Sequence, residues 1–413
     1  MVAAEFDAIV IGGGPAGATA AILLAQSGWS VAVIEQAQFP RRKVCGECIS
    51  ASALLILRVL GVEEREWQVV AGPPLQYVAL YSGAVRVEAS LPPLGLDSLR
   101  WGHALRREHL DTLLLRHART HGVTVWQPWR VRSVWRGARI IHCTATSEGS
   151  DATINLRAPV VIAAHGSWQP GTLPTQPQRT APHNADLFAF KANFRGTALR
   201  EGLLPVLGFS GGYGGMVRAD GDRVTLAFCV RRDTLRQARQ RFSGHSAAGA
   251  AFEHVLRSCF GATEALNQAT QEGVWLSCGP IRPSFRGHWR DGVWLVGNAA
   301  CEAHPIIGEG ISMAMQSAWL LCKRLVAQRE AVLNGKGWQV VGGDYAQAWH
   351  YHFATRLRIA AGLAHLAMRP RMAKIVLPAF KHHPSLLTLC ARVAGKAHAL
   401  ATLLGGELKW VRV

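Results

Sequence analysis

Residues 41–50 read RRKVCGECIS and set two thiols, Cys45 and Cys48, around a carboxylate, Glu47. A C-x-x-C pair serves as a redox dithiol, as half of a zinc site, or as two small side chains packed beside something else. Zinc needs a second ligand pair at a workable spacing, and none is evident among the nine cysteines, so no metal is expected. One further group can move a proton at a chosen place, His304, directly before Pro305, and Tyr213 in the glycine-rich GGYGGMVR can line a substrate cavity. What these groups act on depends on the elements that hold them.

The thirty residues DAIVIGGGPAGATAAILLAQSGWSVAVIEQ, 7–36, are the most informative in the chain. The apolar run Ala8 to Ile11 reads as a buried parallel strand. Gly12, Gly14 and Gly17 then supply G-x-G-x-x-G, with Pro15 and Ala16 at the mouth of the following helix, Ala16 to Ser27. That helix points its positive end at a pyrophosphate. The second strand ends on Glu35, about twenty residues beyond the glycines, where an acid accepts hydrogen bonds from a ribose diol. The pattern predicts a dinucleotide, either FAD or NAD.

Residues 292–326, GVWLVGNAACEAHPIIGEGISMAMQSAWLLCKRLV, repeat the strand–loop–helix logic. VWLV is a short strand, and Ile311 to Val326 has apolar residues at helical spacing. Between them Gly308 and Gly310 allow backbone to approach a flat ligand.

GNAA…P..GEGI resembles the G-D-A-A…P..G-x-G signature of flavoproteins with the p-hydroxybenzoate hydroxylase fold, the superfamily of group A monooxygenases and geranylgeranyl reductases. LRREHLDTLLLRHARTHGVTV is similar to their R-x-x-x-D helix, with Arg107 and Asp111 in the matching places. RRKVCGECIS resembles the C-G-E segment of the geranylgeranyl-reductase branch, and GGYGGMVRADGDRVTLAF its substrate-domain hairpin. The resemblance implies FAD as cofactor. It implies that Gly297, Asn298, Pro305, Gly308, Gly310 and Ile311 hold the ribityl chain and ring, and that Arg41 and Arg107 serve the cofactor. It further implies that Cys45 lies beside the ring, and that Tyr213 and Gly215 face the substrate. Three positions depart from the pattern: Asn298 replaces an Asp, His165–Gly166 replaces the middle D-G, and Tyr213 is not followed by the Y-x-W-x-F-P of the lipid reductases. No second fingerprint for NAD(P)H is evident, so a nicotinamide donor, if used, docks transiently.

The expected fold is α/β: a Rossmann-like FAD-binding domain with a parallel sheet, an inserted mixed β-sheet substrate domain and a C-terminal helical region. The boundaries are 1–75, 100–170 and 280–325 for the FAD domain, 76–99 and 171–279 for the substrate domain, and 326–413 for the C-terminal region. A helix is expected at about 246–260, and two basic helical stretches at 351–370 and 385–404. Residues 350–413 contain ten Lys or Arg and one acid, Glu407, and so hold half of the chain's +18 charge. An anionic membrane surface or an acidic carrier protein is the partner such a region would meet, beside a hydrophobic small-molecule substrate; nucleic acid is not expected. No run approaches the roughly 20 apolar residues of a spanning helix, and the N-terminus lacks a signal-peptide pattern. The expectation is a cytoplasmic protein, at most peripheral to a membrane.

The leading activity is monooxygenation of a hydrophobic or aromatic small molecule through a flavin C4a-hydroperoxide, with Cys45, His304 and Glu47 as catalytic candidates. Flavin-dependent reduction or dehydrogenation of a C–C bond, in a lipophilic or carrier-bound substrate, is the alternative. Disulfide exchange, halogenation and a non-catalytic flavin scaffold rank below both.

Overall fold

A computed structural model of the chain describes residues 3–94, 99–166, 171–176, 178 and 180–396. β1 (Ala8–Ile11) leads through the glycine turn into α1 (Pro15–Gln26) and returns along β2 (Val31–Ile34). Every residue of both strands is buried, as continuous apolar runs must be when both faces of a sheet are covered. Gly12 holds φ at +106°, and a Cβ there would meet the Ala164 carbonyl oxygen at 2.7 Å. A Cβ on Gly17 would sit 1.8 Å from the Gly12 carbonyl oxygen, so strand and helix meet this closely only through glycine.

The chain then leaves this sheet for the hairpin β3 (Tyr77–Ser82) and β4 (Val85–Ser90). It returns through α2 (Arg107–Thr120), β5 (Thr124–Trp126) and β6 (Val160–Ala163). Between β5 and β6, Trp129–Arg136, Ile141–Ser147 and Thr153–Ala158 form an antiparallel layer that Ala4–Glu5 joins at its edge. A second excursion supplies β7 (Leu187–Arg195), β8 (Leu203–Phe209), β9 (Gly212–Arg218), β10 (Val224–Arg231) and β11 (Thr270–Ile281). β12 (Trp289–Arg290) and β13 (Val293–Leu295) close the first sheet. Its order is β12-β13-β6-β1-β2-β5, parallel except for β12. The second sheet runs β11-β7-β10-β9-β8-β3-β4 and is antiparallel except where β8 meets β3. The hairpin at 77–90 thus pairs with β8, more than a hundred residues away.

α3 (Gly310–Ala327) packs on α1, and α4 (Trp338–Ala367), α5 (Pro370–His382) and α6 (Ser385–Ala391) complete the described chain. The helix expected at 246–260 is two helices, Ala247–Ser258 and Phe260–Leu266. They break at buried Cys259, whose extended backbone bridges to Gly83 beside β3. α4 begins thirteen residues before the expected 351, capped by Gly337 in the left-handed region at φ +75°. Of the stretch at 385–404, residues 397–404 lie outside the described residues.

One buried ion pair ties the second sheet to the loop that follows β2. Glu47, 1% exposed and at φ +59°, accepts the ammonium of Lys191 on β7, the hydroxyl of Thr225 on β10 at 2.8 Å and the backbone N–H of Arg107 at 3.2 Å. Lys191 is itself 2% exposed, so removing either partner strands a desolvated charge, at a cost of about 3–5 kcal/mol. Glu47→Gln is expected to lower the urea-unfolding midpoint accordingly, and Glu47→Gln combined with Lys191→Met to recover part of the loss. Equal midpoints for Glu47→Gln and the wild type would refute the tie.

Candidate active site

A cavity of about 800 Å³ runs between the two sheets and collects nearly every residue the sequence marked. Its first end is built for anions. α1 starts with no side-chain cap and no acid in its first turn, leaving backbone N–H groups to a ligand. Arg41 and Arg107 stand over that terminus, each with a guanidinium nitrogen 3.6 Å from where a Gly14 Cβ would lie. Arg107 binds Asp111 with two hydrogen bonds of 2.7 Å, and Arg41 reaches Glu35 at 3.0 Å and Asp111 at 3.4 Å. Lys43, not anticipated from the sequence although it stands two residues before Cys45, joins them. Burial first, then the charges of Arg107 and Arg41, pushes its ammonium down to about 8.

Three cations and a helix terminus thus face two carboxylates. The buried Nε of Arg41 has no partner among the described residues. A dinucleotide pyrophosphate fits this cradle in both charge and shape. Glu35 is buried, and its carboxylate accepts the N–H groups of Gly13 at 2.7 Å and Ala37 at 2.8 Å, which fixes it at the cavity wall.

The second end is the loop after β13. Gly297 (φ +58°) and Gly308 (φ +62°) shape it, and a Cβ on Gly297 would come within 3.0 Å of the Ala16 side chain. The two cofactor motifs therefore touch. Asn298 lines the cavity, and its carbonyl accepts from Arg286 at 2.8 Å; Arg286 also pairs with Glu302 at 3.1 Å. Pro305, Gly310 and Ile311 line the same stretch, as do Pro15 and Ala16 opposite. His165 is held between the Gly166 carbonyl at 2.8 Å and the Thr175 hydroxyl at 2.9 Å, and burial pushes its imidazole down to about 4. A flat ring with a hydrogen-bonding tail fits between these walls, as the ring half of FAD requires.

The catalytic candidates separate. Cys45 is half-buried in the cavity wall, where its sulfur accepts the Glu47 N–H at 3.3 Å and meets the Arg107 guanidinium. Cys48 is buried on the short strand Cys48–Ile49 and packs with Leu75, Val78 and Leu91. Both thiols border the cavity, Cys45 beside Arg107 and Cys48 against this apolar cluster. Glu47 also lines the cavity, and its carboxylate is held there by Lys191, Thr225 and the Arg107 N–H.

Tyr213 and His304 do meet. The Tyr213 hydroxyl lies 3.1 Å from His304 Nδ1, and the His304 ring stands 5.9 Å from that of His365, an exposed residue of α4. Burial, then the nearby Cys229, holds the Tyr213 phenol well above its ordinary value, while burial and His365 push His304 down to about 4. Gly215 follows on the same strand and also lines the cavity. Lys191 and His365 escaped the sequence reading because their partners are distant in the chain.

The FAD binding domain family matches residues 5–345, and the chain belongs to this family of FAD-dependent oxidoreductases. Menaquinone reductase of Mycolicibacterium smegmatis is 23% identical over 408 residues, covering 94% of this chain and 91% of that one. Digeranylgeranylglycerophospholipid reductase 1 of Methanopyrus kandleri is 26% identical over 347 residues, covering 78% and 80%. Among solved structures, the flavin-dependent brominase Bmp2 superposes with a TM-score of 0.74 at 19% identity, covering 95% and 94%.

Two outcomes test the site. Gly17→Val should yield folded protein with little or no flavin in its visible absorbance, because the side chain enters the Gly12 carbonyl. Retained stoichiometric FAD would contradict the cradle. His165, His288 and His304 are each pushed down to about 4, chiefly by burial, so the unfolded chain binds more protons than the folded one between that value and the ordinary 6.5. Stability should be full above 6.5 with respect to these groups and fall as pH drops towards 4, read as a declining urea midpoint. The single variant His304→Gln should flatten part of that slope.

Proposed function

We propose that this protein reduces a carbon–carbon double bond in a lipophilic substrate. The observation that carries the reading is the Tyr213–His304 pair set in the wall of a cavity whose remaining length is apolar. Val78, Leu80, Leu204 and Val206 contribute from the mixed sheet, and Leu377 and Phe380 from α5. Two of the relatives named above are reductases by name, one of menaquinone and one of a digeranylgeranyl phospholipid, and both align over more than three quarters of this chain.

Bound FAD supplies the hydride in such a reaction. The proton is the protein's task. Burial keeps the Tyr213 phenol protonated, so its hydroxyl is a neutral donor that survives without water. In the tautomer protonated at Nδ1, His304 donates to the Tyr213 oxygen, and the hydroxyl hydrogen is shared between the neighbouring Cys229 thiol and the cavity. When that hydrogen moves to the substrate carbon, the His304 Nδ1–H holds the resulting phenolate by its hydrogen bond until a proton from the solvent side, where His365 is exposed, restores the hydroxyl. Gly215, two residues beyond Tyr213, keeps the strand free of a side chain beside the donor.

Oxygenation, placed first by the sequence alone, remains the second reading: Ala299 and Ala300 are fully buried, and a water-poor loop of this kind suits oxygen transfer. Product mass separates the two. Reduced enzyme incubated without oxygen with a prenylated quinone or prenyl lipid should give a product heavier by two hydrogens. Incorporation of one atom from labelled O2, with no anaerobic product, would overturn reduction. Tyr213→Phe should lower kcat by about 10²-fold or more with KM and flavin content little changed, the loss expected of a missing general acid; unchanged kcat would remove Tyr213 from the chemistry.

A further inference from the structure

α5 and α6 are apolar on two sides. Their inner side, with Val376, Leu377 and Phe380 on α5 and Leu387, Cys390 and Ala391 on α6, lines the cavity. A helix covering a pocket normally turns a polar face to water. Here the outer side carries Met372 (41% exposed), Ile375 (72%), Leu386 (36%) and Leu389 (52%). Met372 and Ile375 are three residues apart, as are Leu386 and Leu389, so each helix presents its pair on one face. The polar residues around them are basic or neutral: Lys381, His382, His383 and Arg392 are exposed, and no acid occurs from 345 to 406. No helix among the described residues is long and apolar enough to cross a membrane.

We propose that α5 and α6 form the face by which this protein lies on an anionic lipid bilayer, with substrate passing from the lipid across this single helical layer into the cavity. Exposed apolar side chains on helices that also carry exposed Lys381 and Arg392 match a surface with a hydrocarbon interior and anionic headgroups. An acidic carrier protein would satisfy the cations and leave Ile375 and Leu389 in water. The docking stands on the exposed residues alone, whereas the substrate's path rests on the reading of the preceding subsection.

Flotation of the flavin-loaded full chain with vesicles tests it. Vesicles of phosphatidylcholine with an equal part of phosphatidylglycerol should carry the protein upward at low salt, and pure phosphatidylcholine vesicles should carry far less. Ile375→Glu and Leu389→Glu should each weaken binding about tenfold or more. Lys381→Glu should weaken it at least about fivefold, the share of one cation near an anionic surface. All three should keep their FAD and their turnover of detergent-solubilised substrate. Val274→Glu, which alters an exposed apolar residue of β11, should bind vesicles as the wild type does. Failure to float with anionic vesicles, or binding that Ile375→Glu and Leu389→Glu leave intact, would overturn the proposal; in the first case, capture by an acidic carrier protein would identify the replacement. A protein that floats as expected but reduces no prenyl substrate would sink the reductase reading and leave the docking standing.

Discussion

The Glu47 carboxylate is the interaction on which the arrangement depends. It sits at a left-handed backbone position that a side chain occupies only under constraint, and it is desolvated. Lys191 and Thr225 come from the mixed sheet, while the Arg107 N–H begins the helix that carries Asp111. One carboxylate therefore fixes the distance between the sheet that faces the substrate and the loop that faces the cofactor. Cys45 inherits its position from this tie, because its sulfur accepts the N–H of Glu47. A second polar link works in the same sense. Ser50 and Ser312 share a 2.7 Å hydrogen bond, Gln316 donates to Ser52 at 3.0 Å, and buried Arg356 of α4 donates to Gln316 at 2.9 Å. The segment 45–52 is thus clamped between the mixed sheet, the start of α2 and the helix α3, which α4 braces in turn.

The parts of this site that were legible in the sequence are those whose physics is local. Gly17 must be glycine because of the Gly12 carbonyl in the same turn, and Glu35 ends the next strand, so a window of thirty residues contains the motif even though the Gly12 contact with Ala164 lies outside it. The loop at 297–311 was legible for the same reason. Lys191 was not, since an alternating strand gives no sign that one inward lysine will meet a carboxylate 144 residues earlier. Glu47 was read as chemistry because a carboxylate beside a thiol looks reactive in isolation; its three partners, from three elements, give it a structural task. The extended start of α4 was hidden by Gly342 and Gly343, which weaken a helical pattern without preventing the helix when Val341, Tyr345 and Trp349 bury one face.

Charge is distributed unevenly along the cavity, and that distribution constrains what fits. Arg41, Lys43 and Arg107 gather at the end that the cofactor phosphates would fill, and Glu302 is paired with Arg286 at the ring end. Beyond Tyr213 the lining is Val, Leu, Ala and Phe. A charged group driven into that lobe would lose its hydration with no counter-ion to replace it, a cost of several kcal/mol. A neutral chain loses nothing there and gains from burial. The lobe therefore favours an uncharged group over a charged one. The same low polarity keeps Tyr213 protonated and His304 neutral at the junction between this lobe and the loop after β13.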